Sequence, residues 1–285
     1  MTRLGTRGSA LARAQAEIAA QALSLEVETV VVRTAGDADH RPISELGDGA
    51  FVTALEDALR RGEIDLAVHS LKDVPTGERP GLLIAAVLQR EDPRDVLVTR
   101  ERGGLATLPR GAVVGTSSPR RDAFLRAVRP DVVARPIRGN VDTRLAKVRD
   151  GEYDATVLAL AGLRRLGIAV GEAEILDARG FPPAPGQGAI ALQCRADDGT
   201  TLELAARADH AATRLAVEAE RALLRLLGAS CEIPLGAWGR VDGGTLVLDS
   251  ALAGSHGIAR ASVRGTDPLA LARESADALG AAARA

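Results

Sequence analysis

Short runs of β-branched and aliphatic residues alternate along the chain with longer stretches in which apolar positions recur every three or four residues. The short runs predict strands at 3–5, 28–33, 64–69 and 82–87, and the longer stretches predict helices from Ser9 to Leu23 and from Phe51 to Arg61. Ser9 stands where a helix N-cap is expected, its hydroxyl free to accept a first-turn N–H. Strand and helix in strict alternation signal βαβ units around a mostly parallel sheet.

After Gly103-Gly104 the pattern begins again, with strands at 112–115, 132–137 and 155–159 and helices at 119–128, 141–149 and 161–166. Both sets open on a strand that ends in Gly-Thr and enters a helix through a polar loop, LGTRGS at 4–9 and VGTSSP at 114–119, so a two-domain pseudo-repeat is expected. The segment 181–189, FPPAPGQGA, is too rich in Pro and Gly for an element and reads as an interdomain crossing into the strand-like AIALQCR at 189–195. A helical pattern then runs from Asp209 to Leu227. It is followed by extended segments at 233–241, 245–252 and 257–264 and a last helix from Asp267 to Ala283. The expected architecture is two α/β domains plus a smaller C-terminal α+β domain, with 1–92 and 189–208 forming the first, 96–185 the second and 210–285 the third.

Composition narrows the function. At 285 residues, 46% hydrophobic and 26% charged, the chain has an ordinary globular make-up. Its apolar runs, such as Leu82 to Leu88, fall far short of the ~18 residues a membrane span needs, and no apolar leader follows Arg3 and Arg7, so a soluble, unexported, cytoplasmic protein is expected. Cys194 and Cys231 are the two cysteines, and the scattered His40, His69, His210 and His256 give no metal-ligand spacing, so no metal is expected. A net charge of -2 with 2% aromatic residues argues against a nucleic-acid partner. Among 36 basic residues only Lys72 and Lys147 are lysines. No Walker-A loop, dinucleotide fingerprint, G-x-S-x-G elbow or H-E-x-x-H occurs.

Ligands of open α/β sheets sit beyond the carboxyl ends of strands, and those ends carry hydroxyls, arginines and glycines here. Thr6-Arg7-Gly8-Ser9 is one such end, 115–121 (GTSSPRR, with Ser118, Arg120 and Arg121) another, and Arg138-Gly139-Asn140 with Arg144 a third; Arg164-Arg165 follows the strand ending near Ala159. A lone arginine at a helix start is more often a solvated surface residue. The shared placement points instead to a polyanion, and carboxylates suit the planar guanidinium fork. The segment DLAVHSLKDVP at 65–75 drives a buried strand into Lys72-Asp73, read either as a surface turn or as a mouth carboxylate for acid/base work or for stabilising a cation. Cys194 lies in an apolar strand and reads as a core thiol; Cys231, in the small-residue turn GASC, has no visible activating partner, and spacing alone favours inertness.

Taken in order, GTRGSALARAQ (5–15), HSLKDVP (69–75), GTSSPRR (115–121), RGNVDTRLAKV (138–148), YDATVLALAGLRRLG (153–167), PAPGQGAIALQCR (183–195) and ERALLRLLGASCEIPLG (220–236) resemble the porphobilinogen deaminases, also called hydroxymethylbilane synthases. The resemblance spans nearly the whole chain. It implies two lobes like type II periplasmic binding proteins with the active cleft between them, and a third domain bearing the cofactor cysteine. It further implies a transferase of tetrapyrrole (heme, porphyrin) biosynthesis, acting as a monomer. Four porphobilinogens are joined head to tail on a covalent dipyrromethane cofactor, ammonia leaves at each addition, and hydroxymethylbilane is released by hydrolysis.

By the same resemblance Cys231 holds the cofactor through a thioether and Asp73 is the catalytic carboxylate, which stabilises positive charge as ammonia leaves. Arg7, Ser9, Lys72, Ser118, Arg120, Arg121, Arg138, Arg144 and Arg165 bind the acetate and propionate groups of substrate and cofactor, and Phe51 belongs to a mobile active-site loop. The chain departs from many relatives at Asp48, where Gly-Lys-Gly is usual before that phenylalanine. Pro119 precedes the arginine pair where an aliphatic residue is commoner, and Ala229-Ser230 replace Gly-Gly before the cysteine.

Overall fold

The computed structural model describes residues 1–33, 52–101, 103–169, 171, 173–228, 233–255 and 257–282. Strands β1 (Thr2–Thr6), β2 (Val27–Val31), β3 (Leu66–Ser70), β4 (Leu82–Val87) and β10 (Ile190–Arg195) form a sheet in the order β2-β1-β3-β10-β4. Helix α1 (Ala10–Leu23) follows β1, and α2 (Thr53–Arg60) precedes β3. A second sheet, β7-β6-β8-β5-β9, is built from β5 (Asp95–Thr99), β6 (Val113–Gly115), β7 (Val133–Arg135), β8 (Ala155–Ala159) and β9 (Glu174–Ile175), with α3 (Pro119–Val128), α4 (Val141–Arg149) and α5 (Leu160–Arg165) between its strands.

The two sheets share one plan. Three strands are parallel in each, and the fourth position is taken by an antiparallel strand: β10 between β3 and β4, and β5 between β8 and β9. In both cases that strand is the first to form after the chain crosses from the other lobe. The chain therefore crosses twice, at 88–94 and at 176–189, and each crossing ends by completing the opposite sheet. Central strands β3 and β8 are buried on both faces for four of five residues, as expected for parallel strands covered by helices.

The third unit begins after α6 (Gly199–Ala206). Helix α7 (Ala211–Leu226) and helix α8 (Pro268–Ala282) cover one face of the antiparallel meander β11 (Leu235–Asp242), β12 (Thr245–Gly254) and β13 (Gly257–Gly265). Leu223, Ala237, Leu248 and Leu279 are fully buried there. Leu4, Leu66 and Leu192 fill the first lobe's core; Leu97, Val114 and Phe124 fill the second, which also takes in Ala251 of β12. A fully buried Leu or Phe stabilises by roughly 1.5–3 kcal/mol.

The sequence anticipates β10, the three-stranded meander and the helices flanking β1 and β6. It misses β5, β9 and α6. DVLVT at 95–99 is only five residues and opens on a charged residue, so nothing in its periodicity separates it from the loop around it. The first sheet also departs from mostly parallel through the inserted antiparallel strand.

Two buried carboxylates tie the units together. Glu220 of α7, 0% exposed, receives Nη1 and Nη2 of Arg90 at 2.5 and 3.1 Å and the backbone N–H groups of Gly186 and Gly239 at 2.7 and 2.6 Å. Arg90 also donates from Nε to the carbonyl of Gln187. Gly239 has no room for a side chain, since a Cβ would stand 2.5 Å from the carbonyl oxygen of Ala216. Removing one partner of such a pair leaves an uncompensated buried charge. Glu220→Ala is therefore expected to lose about 3–5 kcal/mol of unfolding free energy in urea titrations, and a loss below about 0.5 kcal/mol, the scale of an ordinary surface change, would show that the clamp contributes no net stability.

Candidate active site

Strand β3 ends in a 3-10 turn, Leu71–Asp73, and its backbone is held from three directions. Leu71 donates its N–H to the carbonyl of Ala189 at 3.0 Å, and Val74 closes the turn onto Leu71. Arg221 of α7 reaches across from the third unit to donate to the carbonyls of Leu71, Val74 and Pro75 at 3.4, 2.7 and 2.9 Å. Burial, reinforced by Arg225, brings the Arg221 guanidinium down to about 10. The turn so fixed presents Asp73 to solvent and keeps Lys72 half-buried.

Beneath it lies a buried polar chain. His69, pulled down to about 4 chiefly by burial and further by Arg7, is a neutral imidazole whose Nε2 meets Oε1 of Gln193 at 2.9 Å. Gln193 donates in turn to the buried Glu56 of α2 at 3.1 Å. Ser70 and the buried Gln15 of α1 exchange hydrogen bonds at 2.8 and 3.1 Å. Ser9 caps α1 by accepting from the N–H of Ala12, and Arg7 stands half-buried before it, within electrostatic reach of His69.

In the second lobe, Thr116, Ser117 and Ser118 follow the end of β6. Ser118 caps α3 by accepting from the N–H of Arg121, and Ser117 is bonded to the backbone of Ile137. The approach of β6 to that loop requires Gly115, where a Cβ would meet Ile137 at 2.8 Å and Tyr153 at 3.0 Å. Arg120 and Arg121 do not stand free on α3. Both side chains turn inward to the fully buried Asp95, Nη2 of each lying 2.7 Å from one of its oxygens, and each spends Nη1 on a carbonyl, Pro182 for Arg120 and Val157 for Arg121. Burial alone would raise the Asp95 carboxyl, but the two guanidiniums outweigh it and hold it well below the usual carboxylate range. Each of these arginines keeps a buried Nε–H without a partner among the described residues.

Gln187 joins the lobes through this cluster. Its Nε2 donates to Asp95 at 2.9 Å and to the carbonyl of Pro93 at 2.7 Å, and its Oε1 accepts from Lys72 Nζ at 3.1 Å. Lys72 is lowered to about 8 by burial and then by Arg121, with Asp73 and Asp95 opposing. Arg144, on α4 behind the Asn140 cap, is lowered to about 10 by burial and by Arg121 and Arg138. Arg121 thus bears on both Lys72 and Arg144, and Arg138 on Arg144, a concentration of positive charge that a polycarboxylate would relieve. Arg165 points elsewhere: it donates to the carbonyl of Gly188 at 2.5 Å, and burial brings it to about 10, while Arg164 pairs with Glu91 at 2.7 Å.

Cys231 and Phe51, with Asp48, lie outside the described residues; α7 ends at Leu226, and Gly228, at φ +100°, opens the segment that carries the cysteine. Cys194 is buried in β10, its thiol pushed up to about 11 by burial. The sequence reading did not single out Asp95, Gln187, Gln15, Glu220 or Arg221. Gln187 had a signal, since it sits within the PGQG crossing; Asp95 is one acid among several in EDPRD, and only the fold sets it apart. Among the described residues no group of three metal-ligating side chains occurs, and no helix is long and apolar enough to cross a membrane.

Residues 2–203 match the sequence model described as porphobilinogen deaminase, dipyromethane cofactor binding domain, and residues 214–284 match that of the porphobilinogen deaminase C-terminal domain. The chain is 51% identical to a porphobilinogen deaminase of Acidothermus cellulolyticus over 93% of its own length and 83% of that protein's. It is 50% identical to the Mycobacterium leprae porphobilinogen deaminase over 85% and 78% of the two chains. Among solved structures it is similar to the VFT2 domain of Bordetella pertussis BvgS, with a TM-score of 0.42 and 17% identity over 73% of this chain and 85% of that one.

The depressed Lys72 carries a pH signature. Its folded value near 8 lies below the ordinary 10.5, so the folded state sheds a proton that the unfolded chain keeps, and this group's contribution to stability rises with pH between those two values. In cofactor-free protein, Lys72→Met is expected to raise the urea midpoint near pH 7, with the advantage shrinking toward zero by about pH 10.5. A difference constant over that range would assign the effect to packing.

Proposed function

The chain belongs to the porphobilinogen deaminase family, and from that premise we propose which of its residues carry the reaction. The family's enzymes are transferases of tetrapyrrole biosynthesis that work with a dipyrromethane cofactor. They join four porphobilinogens head to tail with loss of ammonia and release hydroxymethylbilane. The observation that supports this reading best is the excess of cations around Lys72, Arg121, Arg138 and Arg144 beside an exposed carboxylate at Asp73. A dipyrromethane bearing acetate and propionate groups fits that surplus.

Bound in the cleft, the cofactor supplies a terminal pyrrole whose free α-carbon is the nucleophile. Cys231 anchors it through a thioether, a carbon–sulfur bond that survives the hydrolysis releasing the product. Asp73, in its fixed turn, accepts hydrogen bonds from pyrrole N–H groups and offsets the positive charge that develops as ammonia departs. The solvent-facing carboxylate is free to approach the reacting ring because Arg221 holds the backbone on either side of it. Lys72 and Arg7 from the first lobe and Ser118, Arg120, Arg121, Arg138 and Arg144 from the second hold carboxylates, while Ser9 and Arg165 shape the two lobes' facing edges. Phe51 belongs to the active-site loop. The domains run over 1–92 with 189–208, 96–185 and 210–285, and the enzyme acts as a cytoplasmic monomer on a free small molecule, with no nucleic acid or membrane partner.

Intact mass under denaturing conditions, with peptide mapping, tests the anchor. The wild type is expected to carry two deaminated porphobilinogen units on Cys231, and Cys231→Ala none; an adduct on Cys194 overturns the assignment. Asp73→Ala is expected to keep the cofactor or its binding site while losing about 10²–10⁴-fold in turnover, the range for an acid/base or charge-stabilising group. Wild-type turnover would remove Asp73 from the chemistry.

A further inference from the structure

The C-terminal meander turns one face to α7 and α8, where Leu246 and Leu248 are buried and Ser250 meets Ser275 at 2.7 Å. Its other face carries a charge pattern that the reaction does not use. Cross-strand register sets Arg240, Val247 and Arg264 in one row, Trp238, Asp249 and Ser262 in the next, and Gly236, Ala251 and Arg260 in the third. Two arginines therefore flank a single valine on the same face, their backbones about 10 Å apart by strand spacing. Placing like charges on one sheet face is unfavourable unless something of opposite sign answers them.

The protein's own answer is incomplete. Asp249, which lines the cavity on this side, already accepts from Arg240 Nη1 and Ser262 Oγ, each at 2.6 Å. Arg264 meets Asp242 at 3.5 Å with side chains 61% and 70% exposed, a contact worth little. Across from the sheet, the segment 178–182 of the second lobe forms a facing wall, held by Arg260 through the carbonyls of Arg179 and Gly180. Between the walls is an open cavity of about 550 Å³ with Val247 and Pro182 in its lining and four guanidiniums, those of Arg179, Arg240, Arg260 and Arg264, around it. A volume of that size suits a small metabolite.

We propose that this cavity is a second ligand site, distinct from the Lys72–Arg144 cleft, that takes a small multivalent oxyanion bridging Arg240 and Arg264. Carboxylate and phosphate groups share the geometry that guanidinium forks recognise. The wall also offers a built-in reporter: Trp238 is the chain's one tryptophan, and the Arg240 guanidinium lies 4.2 Å from its ring centroid. An anion that draws Arg240 off the ring changes the indole's surroundings.

The test is a tryptophan-fluorescence titration of the full-length holoenzyme with citrate and, separately, pyrophosphate, against sodium chloride at matched ionic strength. A saturable response to either anion, weakened at least tenfold in Arg264→Gln and in Arg240→Ala with Arg264→Gln retaining wild-type turnover, supports the site; the preferred anion identifies carboxylate or phosphate as the ligand's head group. Curves superimposable in wild type and both variants, or a response that sodium chloride reproduces, overturn it. Arg264 is exposed and weakly paired, so its variant folds and keeps the test decisive even where Arg240→Ala disturbs Asp249.

Discussion

Everything at the cleft hangs on a buried negative charge. Asp95 is fully enclosed, and it is tolerated there because two guanidiniums and a side-chain amide saturate its oxygens. The arrangement also works in reverse: Arg120 and Arg121 are buried because Asp95 is. Gln187 extends the network to Lys72 in the other lobe, and its carbonyl, through Arg90, connects to the second buried carboxylate, Glu220. The crossing at 186–188 is thus gripped from both sides, by one acid from the second lobe and one from the third unit. Apolar packing alone would let these surfaces slide; oriented ion pairs admit one arrangement, at a cost in desolvation that their geometry offsets.

Helix α7 has an unusual share in that arrangement. Adjacent residues on it do different tasks, Glu220 gripping the crossing and Arg221 holding the turn that presents Asp73, and the same helix leads within a few residues to Cys231. One rigid element therefore serves both the crossing and the turn that presents the proposed acid. The third unit is part of the catalytic framework in this respect, and its sheet also enters the second lobe's core through Ala251.

The sequence made much of this readable because local signals agreed with the fold: Ser9 is an N-cap where the letters suggest one, and the strand at 190–195 follows a Pro/Gly crossing. What stayed hidden is non-local. Arg120 and Arg121 read as anion ligands at a helix start, and nothing in the letters reveals that an aspartate 25 and 26 positions earlier would meet them from a strand too short to recognise. Gln15 and Gln187, uncharged, acquire roles only through Ser70, Lys72 and Asp95. The arginines at strand ends were visible as composition; that burial, and then Arg121, lowers Lys72 to about 8 appears only once the fold is known.

The exchange of antiparallel strands between the sheets has a consequence for how the chain comes off the ribosome. When residues 1–87 have emerged, β3 and β4 exist but cannot pair with each other, because the place between them belongs to β10, roughly a hundred residues later. The first lobe must wait with two open edges while the second is made, and the second is finished sooner because β5 arrives before the strands it joins. Closure over so long a loop is entropically slow. Unpaired edges invite wrong partners meanwhile. The lobe translated first is therefore the one completed last, and the interval between is when the nascent protein has most need of a chaperone.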